Sequence, residues 1–283
     1  MNARVLAALM LLPLALIVLV SAALAGDGMR GAGMPMAKLR GVNFVSSCTF
    51  SHGAPDDPIV FPGLPGASHH HSFVGNTKTN ASSTLESLLT GSSTCHRPGD
   101  TAAYWMPTLS VDGRAVAPNH AQIYYRRRTQ EHVEAFPPGF RMVAGDANAQ
   151  SAQGGRVTFW NCGVGGGITP ATTVPTCPDA RRNALRLHVT FPSCWDGKNL
   201  DSADHQSHVR YPVQGRCPAR FSHALPQISL IYRYPVTGAG AVTLASGGQL
   251  TAHADFFNAW RQSELQTLVD ECLNPLRHCQ RGT

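Results

Sequence analysis

The sequence predicts a mainly β fold, a single antiparallel β-sandwich or jelly-roll-like domain with long loops, disulfides and a C-terminal helix. Short segments rich in β-branched and aromatic residues recur along the chain, each bounded by turn-forming residues. Glycine and proline are frequent, at 27 and 20 of 283 residues, and only 14% of residues are charged. One segment alone has the spacing of apolar residues that an amphipathic helix needs. This composition favours many short strands and few helices.

The first 25 residues have the features of a secretory signal peptide. One arginine precedes an apolar run that starts at Val5, and Ala23, Leu24 and Ala25 form a small-x-small cleavage site. The same run is long enough to span a bilayer if it is not cleaved. We expect residues 26–38 to be a Gly/Met-rich linker and residues 39–283 to form one domain. The predicted location is extracellular or periplasmic, with no membrane contact apart from the signal segment.

Strand candidates follow one another along the mature chain. The segment LRGVNFVSSCTF, from Leu39, alternates as a strand does, and GAPDDPIVFPGLPG reads as a loop. Two short strands joined by an Asp112–Gly113 hairpin turn are predicted in AAYWMPTLSVDGRAV. Further candidates are NHAQIYYRRR, RVTFWNCG, ALRLHVTFPSCW and QISLIYRYPV. The helix is predicted over residues 254–274, ending before Pro275.

Eight cysteines follow the signal segment, and an even number in an exported protein predicts disulfides. Eight cysteines allow 105 connectivities. Pairing of neighbours along the chain closes short to medium loops and predicts Cys48–Cys95, Cys162–Cys177, Cys194–Cys217 and Cys272–Cys279. The chain contains no C-x2-C pair, so a metal site built from cysteines is not favoured.

The formal net charge is +6, and the densest basic cluster is Arg126, Arg127 and Arg128. A solvated strand end is the simpler interpretation of this cluster. The functional interpretation is contact with an acidic polymer such as an anionic polysaccharide. Nucleic acid is not expected as a partner because basic and aromatic residues are not interleaved.

Two groups of histidines and aspartates carry the candidate chemistry. In SHHHSF, His69 and His71 project to one side of an extended segment and His70 to the other. The second group has His205 and His208 three residues apart. Three interpretations are open: a metal site with His69, His71, His205 and His208 as ligands, a general acid–base site that uses neighbouring carboxylates, and loop structure held by side chain to backbone hydrogen bonds.

Five blocks, in this order, resemble the secreted family called DUF1996, a domain of unknown function: DPIVFPG, SHHHSFVGN, AAYWMPTL, PSCWDGKNLDSADHQSHVRYP and HADFFNAW. The resemblance covers about residues 43–273. Members of the family often carry carbohydrate-binding WSC modules, and the resemblance implies a shared polar cleft in a secreted protein. It places motif positions at Asp57, His69, His71, Tyr104, Trp105, Pro107, Trp195, Asp196, Asp201, His205, His208 and Asp255.

From residues and resemblance together we expect a secreted carbohydrate-active protein that cleaves a polysaccharide, as a hydrolase or a lyase, by His/Asp general acid–base chemistry. The expected catalytic residues are His71, His205, His208, Asp196 and Asp201. The expected substrate-binding residues are Asp57, His69, Tyr104, Trp105, Trp195, Arg126 and Asp255. The alternatives are a polysaccharide- or cell-wall-binding protein without catalysis and a His-ligated metal protein. We expect a monomer whose partner is a polysaccharide or cell-wall glycan, and no cofactor apart from that metal ion.

Overall fold

The computed structural model describes residues 35–154, 157–163 and 170–279, which lie in the compact unit that begins at Met34. The predicted signal peptide and most of the predicted linker lie outside the described residues. The strands are β1 (Asn43–Ala54), β2 (His71–Gly75), β3 (Ala103–Pro107), β4 (Leu109–Val111), β5 (Arg114–Val116), β6 (His120–Arg126), β7 (Arg141–Gly145), β8 (Thr158–Cys162), β9 (Leu185–Thr190), β10 (Cys194–Trp195), β11 (Val209–Arg210), β12 (His223–Ala224), β13 (Gln227–Arg233), β14 (Val242–Leu244), β15 (His253–Phe257) and β16 (His278–Cys279). The α-helices are α1 (Leu85–Leu89) and α2 (Gln262–Leu268). The mainly β class is confirmed.

One large antiparallel sheet organises the fold, in the order β7-β15-β3-β2-β1-β6-β13-β9-β8. Its central strand, β1, pairs with β6 over Asn43–Thr49 and with β2 from Phe50 to Ala54, with an irregular register at the change. The sheet therefore divides at β1 into two halves, and it curls into a nearly closed barrel. One half contains β2, β3, β15 and β7, and the other contains β6, β13, β9 and β8.

The inner face of the curled sheet holds the main core. Large aromatic side chains from both halves are fully buried there, among them Phe44, Tyr104, Tyr125 and Trp160. The Trp260 indole N–H donates to the Tyr125 hydroxyl at 2.9 Å, so the ring that follows β15 is fixed inside the barrel. Burial of this apolar area is the main stabilising contribution to the fold.

The two halves of the sheet differ on their outer faces. On the β2-β3-β15-β7 half, Phe73, Trp105 and Phe257 pack under Ile59 and Leu88, so the loop over residues 55–70 and helix α1 cover this face. On the β6-β13-β9-β8 half, the outward side chains of β6, and of His188 and Thr190 in β9, are only partly buried. The fold therefore has one covered and one open outer face, and both carry candidate functional residues.

The C-terminal helix is shorter than the predicted segment of residues 254–274. Residues His253–Phe257 form β15, which is hydrogen-bonded between β3 and β7 and is buried on both sides. In a strand buried on both faces the alternation of polar and apolar residues is weak, and here it is limited to His253 and Asp255. Helix α2 begins at Gln262 and continues as a π-helical turn over Val269–Leu273. None of the helices in the part of the chain described here is long and apolar enough to cross a membrane.

The predicted hairpin turn is confirmed at Asp112–Gly113, between β4 and β5. Both turn residues have positive φ, at 49° and 74°. A type I′ turn requires this conformation at both positions, and Asp-Gly is a preferred sequence for it.

All four predicted disulfides are present: Cys48–Cys95, Cys162–Cys177, Cys194–Cys217 and Cys272–Cys279. Each closes a loop of 7 to 47 residues. Four disulfides are typical of proteins that fold in an oxidising compartment outside the cytoplasm.

Thiol titration of the denatured, unreduced mature protein should therefore detect no free sulfhydryl. In the chain-entropy model, a bridge over a loop of about 15 residues contributes about 3 kcal/mol, so reduction should also lower the melting temperature. Two or more reactive thiols per chain would contradict the pairing.

Candidate functional site

The histidine run lies where the loop over residues 55–70 enters β2. His71 is the first residue of β2, is fully buried, and points to the covered outer face of the sheet. The His69 ring lies on the same side, with its centroid 4.3 Å from that of His71. His70 is exposed and its Nδ1 lies 2.8 Å from the Thr108 hydroxyl. The alternation predicted from the sequence is thus present, and only the outer two histidines lie together.

A third histidine, His253, joins this pair from β15. Its Nε2 lies 3.2 Å from Nε2 of His69, and its ring centroid lies 5.9 Å from that of His71. One ring nitrogen from each of His69, His71 and His253 could bind a metal ion, and these three nitrogens all lie within 4.8 Å of one another. We call these three residues the histidine cluster.

Backbone carbonyls fix the tautomers of two members of the histidine cluster. Nδ1 of His71 lies 3.0 Å from the Asp56 carbonyl, and Nδ1 of His253 lies 2.9 Å from the Thr251 carbonyl. A carbonyl only accepts hydrogen bonds, so each Nδ1 carries the proton and each Nε2 presents a lone pair. Burial, followed by the two neighbouring imidazoles, holds the pKa of His71 well below its usual value, and burial lowers the pKa of His253 to about 4. The cluster is therefore neutral near pH 7.

Two buried carboxyl groups, Asp57 and Asp255, adjoin His71. One carboxylate oxygen from each aspartate and one ring nitrogen of His71 lie within 4.8 Å of one another. Asp57 Oδ1 accepts hydrogen bonds from the backbone N–H groups of Ile59 and Val60, both at 2.9 Å. Asp255 extends from β15 beside Trp105, and neither of its oxygens has a hydrogen-bond partner among the described residues. Burial, followed by the charge of Asp57, holds the pKa of Asp255 well above its usual value.

The second predicted group of residues lies on a loop beside β7. Asp201 accepts a hydrogen bond from Nδ1 of His205 at 2.9 Å and lies 3.9 Å from the Arg141 guanidinium. The His205 carbonyl accepts from the backbone N–H of Val143 in β7 at 3.0 Å, so this loop lies beside the covered half of the sheet. Of the four histidines expected as metal ligands, only His69 and His71 belong to the histidine cluster.

His208 and Asp196 form hydrogen bonds that hold their own loop in place. Both ring nitrogens of His208 have partners, the Ser202 hydroxyl and the Arg141 carbonyl, each at 2.8 Å. Asp196 accepts from the backbone N–H groups of Lys198 and Asn199. The structure therefore gives both residues the loop-supporting contacts that were one of the three interpretations of the sequence.

The three aromatic residues expected to pack against sugar rings are enclosed. Tyr104 and Trp105 are 0% exposed and Trp195 is 9% exposed. Tyr104 lies in the barrel core, Trp105 lies under the loop that covers the outer face, and the Trp195 indole donates to the Asn199 carbonyl at 2.7 Å. We expected these rings to pack against sugars, but the structure shows that they pack in the interior. Both sides of several strands are buried in this fold, so an aromatic residue on either side of a strand can be enclosed. Asp57 and Asp255, at 3% and 1% exposure, are likewise out of reach of a polymer.

A second group of polar residues lies on the open half of the sheet. It contains four arginines and one histidine, and we call this group the basic face: Arg126, Arg128, Arg186, His188 and Arg233. Phe159, Tyr124 and Tyr211 accompany them. Five of these residues line a groove of about 770 Å³: Arg126, Arg128, Phe159, His188 and Tyr211. None of the groove-lining residues that the structure describes is an aspartate or glutamate.

None of the four arginines of the basic face forms a salt bridge with an aspartate or glutamate that the structure describes. The Arg126 guanidinium stacks on Tyr124 at 4.3 Å, and its Nε is buried with no hydrogen-bond partner among the described residues. Arg186 is only 6% exposed and its Nε is likewise unpaired within the described chain. Burial, followed by Arg128, lowers the pKa of Arg126 to about 10. The basic face is thus electropositive, and two of its buried nitrogens lack a hydrogen-bond partner among the described residues.

His188 lies at the centre of the basic face. Its ring stacks on Phe159 with centroids 4.2 Å apart, and its Nε2 lies 3.0 Å from the Asn161 side-chain oxygen. Since that oxygen accepts, Nε2 carries the proton and Nδ1 presents a lone pair. Burial, followed by Arg186 and Arg126, lowers the pKa of His188 to about 3, so the imidazole is neutral in ordinary buffers.

Sequence reasoning missed His253, Arg186 and His188. His253 alternates with Asp255 in HADFF, a spacing that places both on one side of a strand, but that segment was assigned to a helix. Arg186 and His188 alternate in the same way in LRLHVT, which was recognised as a strand without weighing its polar side chains. Arg126 was identified, whereas the neighbouring Arg127 has a structural role: it donates to backbone carbonyls, including that of Thr129.

Comparison with known proteins gives one match. The family model described as Domain of unknown function (DUF1996) matches residues 57–260, a range that contains the histidine cluster, the loop of His205 and the basic face. No curated protein and no solved structure matches the chain. Because the family model covers well over half of the chain, the protein belongs to the DUF1996 family.

Proposed function

We propose that this chain is a secreted carbohydrate-active protein that holds an acidic polysaccharide on the basic face and cleaves it. The observation that carries the proposal is a pair of buried Nε atoms without hydrogen-bond partners among the described residues. One belongs to Arg126, which lines a groove whose described lining has no carboxylate, and the other belongs to Arg186, two residues before the groove-lining His188 on β9. A buried guanidinium nitrogen without a hydrogen-bond partner is costly, and an anionic ligand that accepts a hydrogen bond from it removes that cost.

The shape and the composition of the groove support a sugar ligand. Its volume of about 770 Å³ lies within the range of about 300–1,000 Å³ that is usual for ligand sites. Phe159 and Tyr211 line it and offer apolar rings, while Gln227, Ser229 and Thr190 offer side-chain hydrogen-bonding groups. Arginine binds carboxylate and sulfate-like groups through two parallel hydrogen bonds, so it selects acidic sugars over neutral ones.

Elimination fits the residues of the basic face better than hydrolysis does. Glycoside hydrolysis ordinarily uses two carboxyl groups about 5–5.5 or 6.5–9.5 Å apart, and the described groove lining supplies none. Elimination needs a base for the proton beside the sugar carboxyl group and a cation that stabilises the resulting negative charge. Nδ1 of His188 is the base in this proposal, and Arg126 is the cation. The pKa of about 3 makes His188 a weak base in the free protein, and a bound carboxylate would offset the charges of Arg186 and Arg126 and raise that pKa.

The step balances without a cofactor. The C–H bond beside the carboxyl group breaks, its proton goes to His188, a C=C bond forms, and the C–O bond to the departing sugar breaks. The departing oxygen takes its proton from the Tyr124 hydroxyl or from water. The product therefore carries an unsaturated acidic sugar at its new end, which absorbs ultraviolet light.

Binding without cleavage is the second candidate function. It is favoured by the close packing of His188 between Phe159 and Asn161, which limits approach to its ring. Mass spectrometry of products separates the two candidates, because cleavage releases unsaturated oligosaccharides and binding alone releases none.

The binding proposal is tested with matched arginine variants. Arg126→Gln and Arg186→Gln should each weaken binding of an acidic polysaccharide about tenfold or more, because each removes one partner of a desolvated charge pair. Arg114→Gln is the matched control: it makes the same charge change on the exposed β4–β5 hairpin and should keep wild-type affinity. Isothermal titration against a panel of uronate-containing, sulfated and neutral polysaccharides measures this. Equal losses in all three variants, or equal binding of neutral polymers, would contradict the proposal.

A further inference from the structure

The histidine cluster is separate from the basic face, and its role does not depend on the polysaccharide proposal. It lies on the covered half of the sheet, whereas the groove lies on the open half. We propose that His69, His71 and His253 bind one divalent first-row transition-metal ion through their Nε2 atoms, with Asp57 and Asp255 as the adjacent anionic groups.

The orientation of the imidazoles is the first argument. Nδ1–H of His71 and Nδ1–H of His253 each donate to a backbone carbonyl, which leaves both Nε2 lone pairs directed at the same region. A hydrogen bond from the second ring nitrogen to a carbonyl is the arrangement that orients metal-binding histidines. Nε2 of His71 is buried and has no hydrogen-bond partner in the described structure.

The spacing is the second argument. Two imidazole nitrogens, each about 2.0–2.1 Å from a tetrahedral ion, lie about 3.3–3.4 Å apart. The Nε2 atoms of His69 and His253 are 3.2 Å apart. A hydrogen bond between these two rings also accounts for that distance, but it leaves Nε2 of His71 and both oxygens of Asp255 without partners.

The carboxyl groups are the third argument. Asp255 is 1% exposed, and neither of its oxygens accepts a hydrogen bond from a described residue. Asp57 and Asp255 lie close together beside His71. Ionisation of both buried carboxyl groups is costly without a cation, and a divalent ion next to them offsets that cost.

The donor types limit the metal. Imidazole and carboxylate suit zinc and the other first-row divalent ions, whereas soft ions such as Cu(I) prefer thiolate or thioether ligands. All eight cysteines are in disulfides, so no thiolate is available. His69 is only partly buried, so one side of the site is accessible to solvent, and an ion enters from that side.

The experiment uses mature protein without a histidine tag, treated with a chelator and then dialysed against Zn²⁺ or Co²⁺. We expect about one ion per chain by elemental analysis, and Co²⁺ absorption in the visible range that is typical of nitrogen and oxygen ligands. Loss of a residue that only hydrogen-bonds to a metal ligand typically weakens metal binding about 10–100-fold. His69→Gln and His253→Gln each remove a proposed ligand, so they should weaken Zn²⁺ binding by more than that. His70→Ala, one residue from two proposed ligands but directed at Thr108, should bind as the wild type does.

His69 is partly exposed, so its variant keeps the test informative if the buried His253 variant does not fold; circular dichroism monitors folding. Wild-type protein that retains no metal, or a folded His69→Gln variant with wild-type affinity, would overturn the proposal. A loss in His70→Ala equal to that in His69→Gln would also overturn it.

Discussion

Replacing His188 by Ala should lower the rate of polysaccharide cleavage by about 10²–10⁴-fold, the usual cost of removing a general acid–base group. Nδ1 of His188 is the available base on the basic face, since Nε2 is bonded to Asn161. The arginines that hold the polymer remain in the variant, so its dissociation constant should change little. The increase in ultraviolet absorbance from the unsaturated product, followed with time, measures the rate.

The matched control is His223→Ala. His223 is 42% exposed in its side chain and pairs with Glu134 away from the groove, so the variant should cleave at the wild-type rate. If His188→Ala cleaves as fast as the wild type, His188 is not the base. If it loses binding and cleavage together, the residue positions the substrate and does not transfer the proton.

Replacing Asp100 by Asn should stabilise the protein at pH 7 and reduce the dependence of its stability on pH. Asp100 is fully buried, and burial raises its pKa to about 7 despite hydrogen bonds from Ser46, Tyr104 and Ala102. Its Oδ1 accepts from the Tyr104 hydroxyl and from the Ala102 N–H, and an amide oxygen in the same place accepts both. The substitution thus removes a buried charge and keeps the two partners of Oδ1.

The sign of this pH dependence follows from the raised pKa. An unfolded Asp releases its proton near pH 3.9, while folded Asp100 retains it until about pH 7. The stabilising contribution of the protonated form is therefore complete below about pH 4 and is lost as the pH rises to about 7, a difference on the order of 3–4 kcal/mol. Denaturant unfolding between pH 4 and pH 8 measures it.

In that series the wild-type free energy of unfolding should fall relative to that of Asp100→Asn as the pH rises. Tyr104→Phe is a useful comparison, because it removes one partner of Asp100 and leaves the carboxyl group in place. Parallel pH profiles for the wild type and Asp100→Asn would show that Asp100 has an ordinary pKa in the folded protein.

The local parts of the fold were predictable from sequence. Disulfides between neighbouring cysteines, the Asp112–Gly113 turn and the alternation of His69 and His71 all depend on residues close together in the chain. Each of these expectations agrees with the structure. Strand candidates such as QISLIYRYPV were also recognisable, because their period-2 pattern is imposed by one buried face.

The assembly of the two polar sites was not predictable in the same way. His253 meets His69 across 184 residues, and only the pairing of β15 with β3 and of β3 with β2 brings them together. Likewise, the sequence does not reveal which outer face of the sheet a loop covers. That coverage buries Trp105 and Asp255 and leaves His188 and Arg126 beside an open groove.

The most direct test of the central claim compares one acidic polysaccharide with its carboxyl-reduced form. Reduction converts each carboxylate to an alcohol and leaves the sugar backbone unchanged, so the two polymers differ only in the groups that the basic face is proposed to recognise. Binding of both forms is measured at low and at moderate salt. We predict tight, salt-sensitive binding of the acidic form by the wild type, weak binding of the reduced form, and weak binding of either form by Arg186→Gln. Equal affinity of the wild type for the acidic and the reduced polymer would contradict the account.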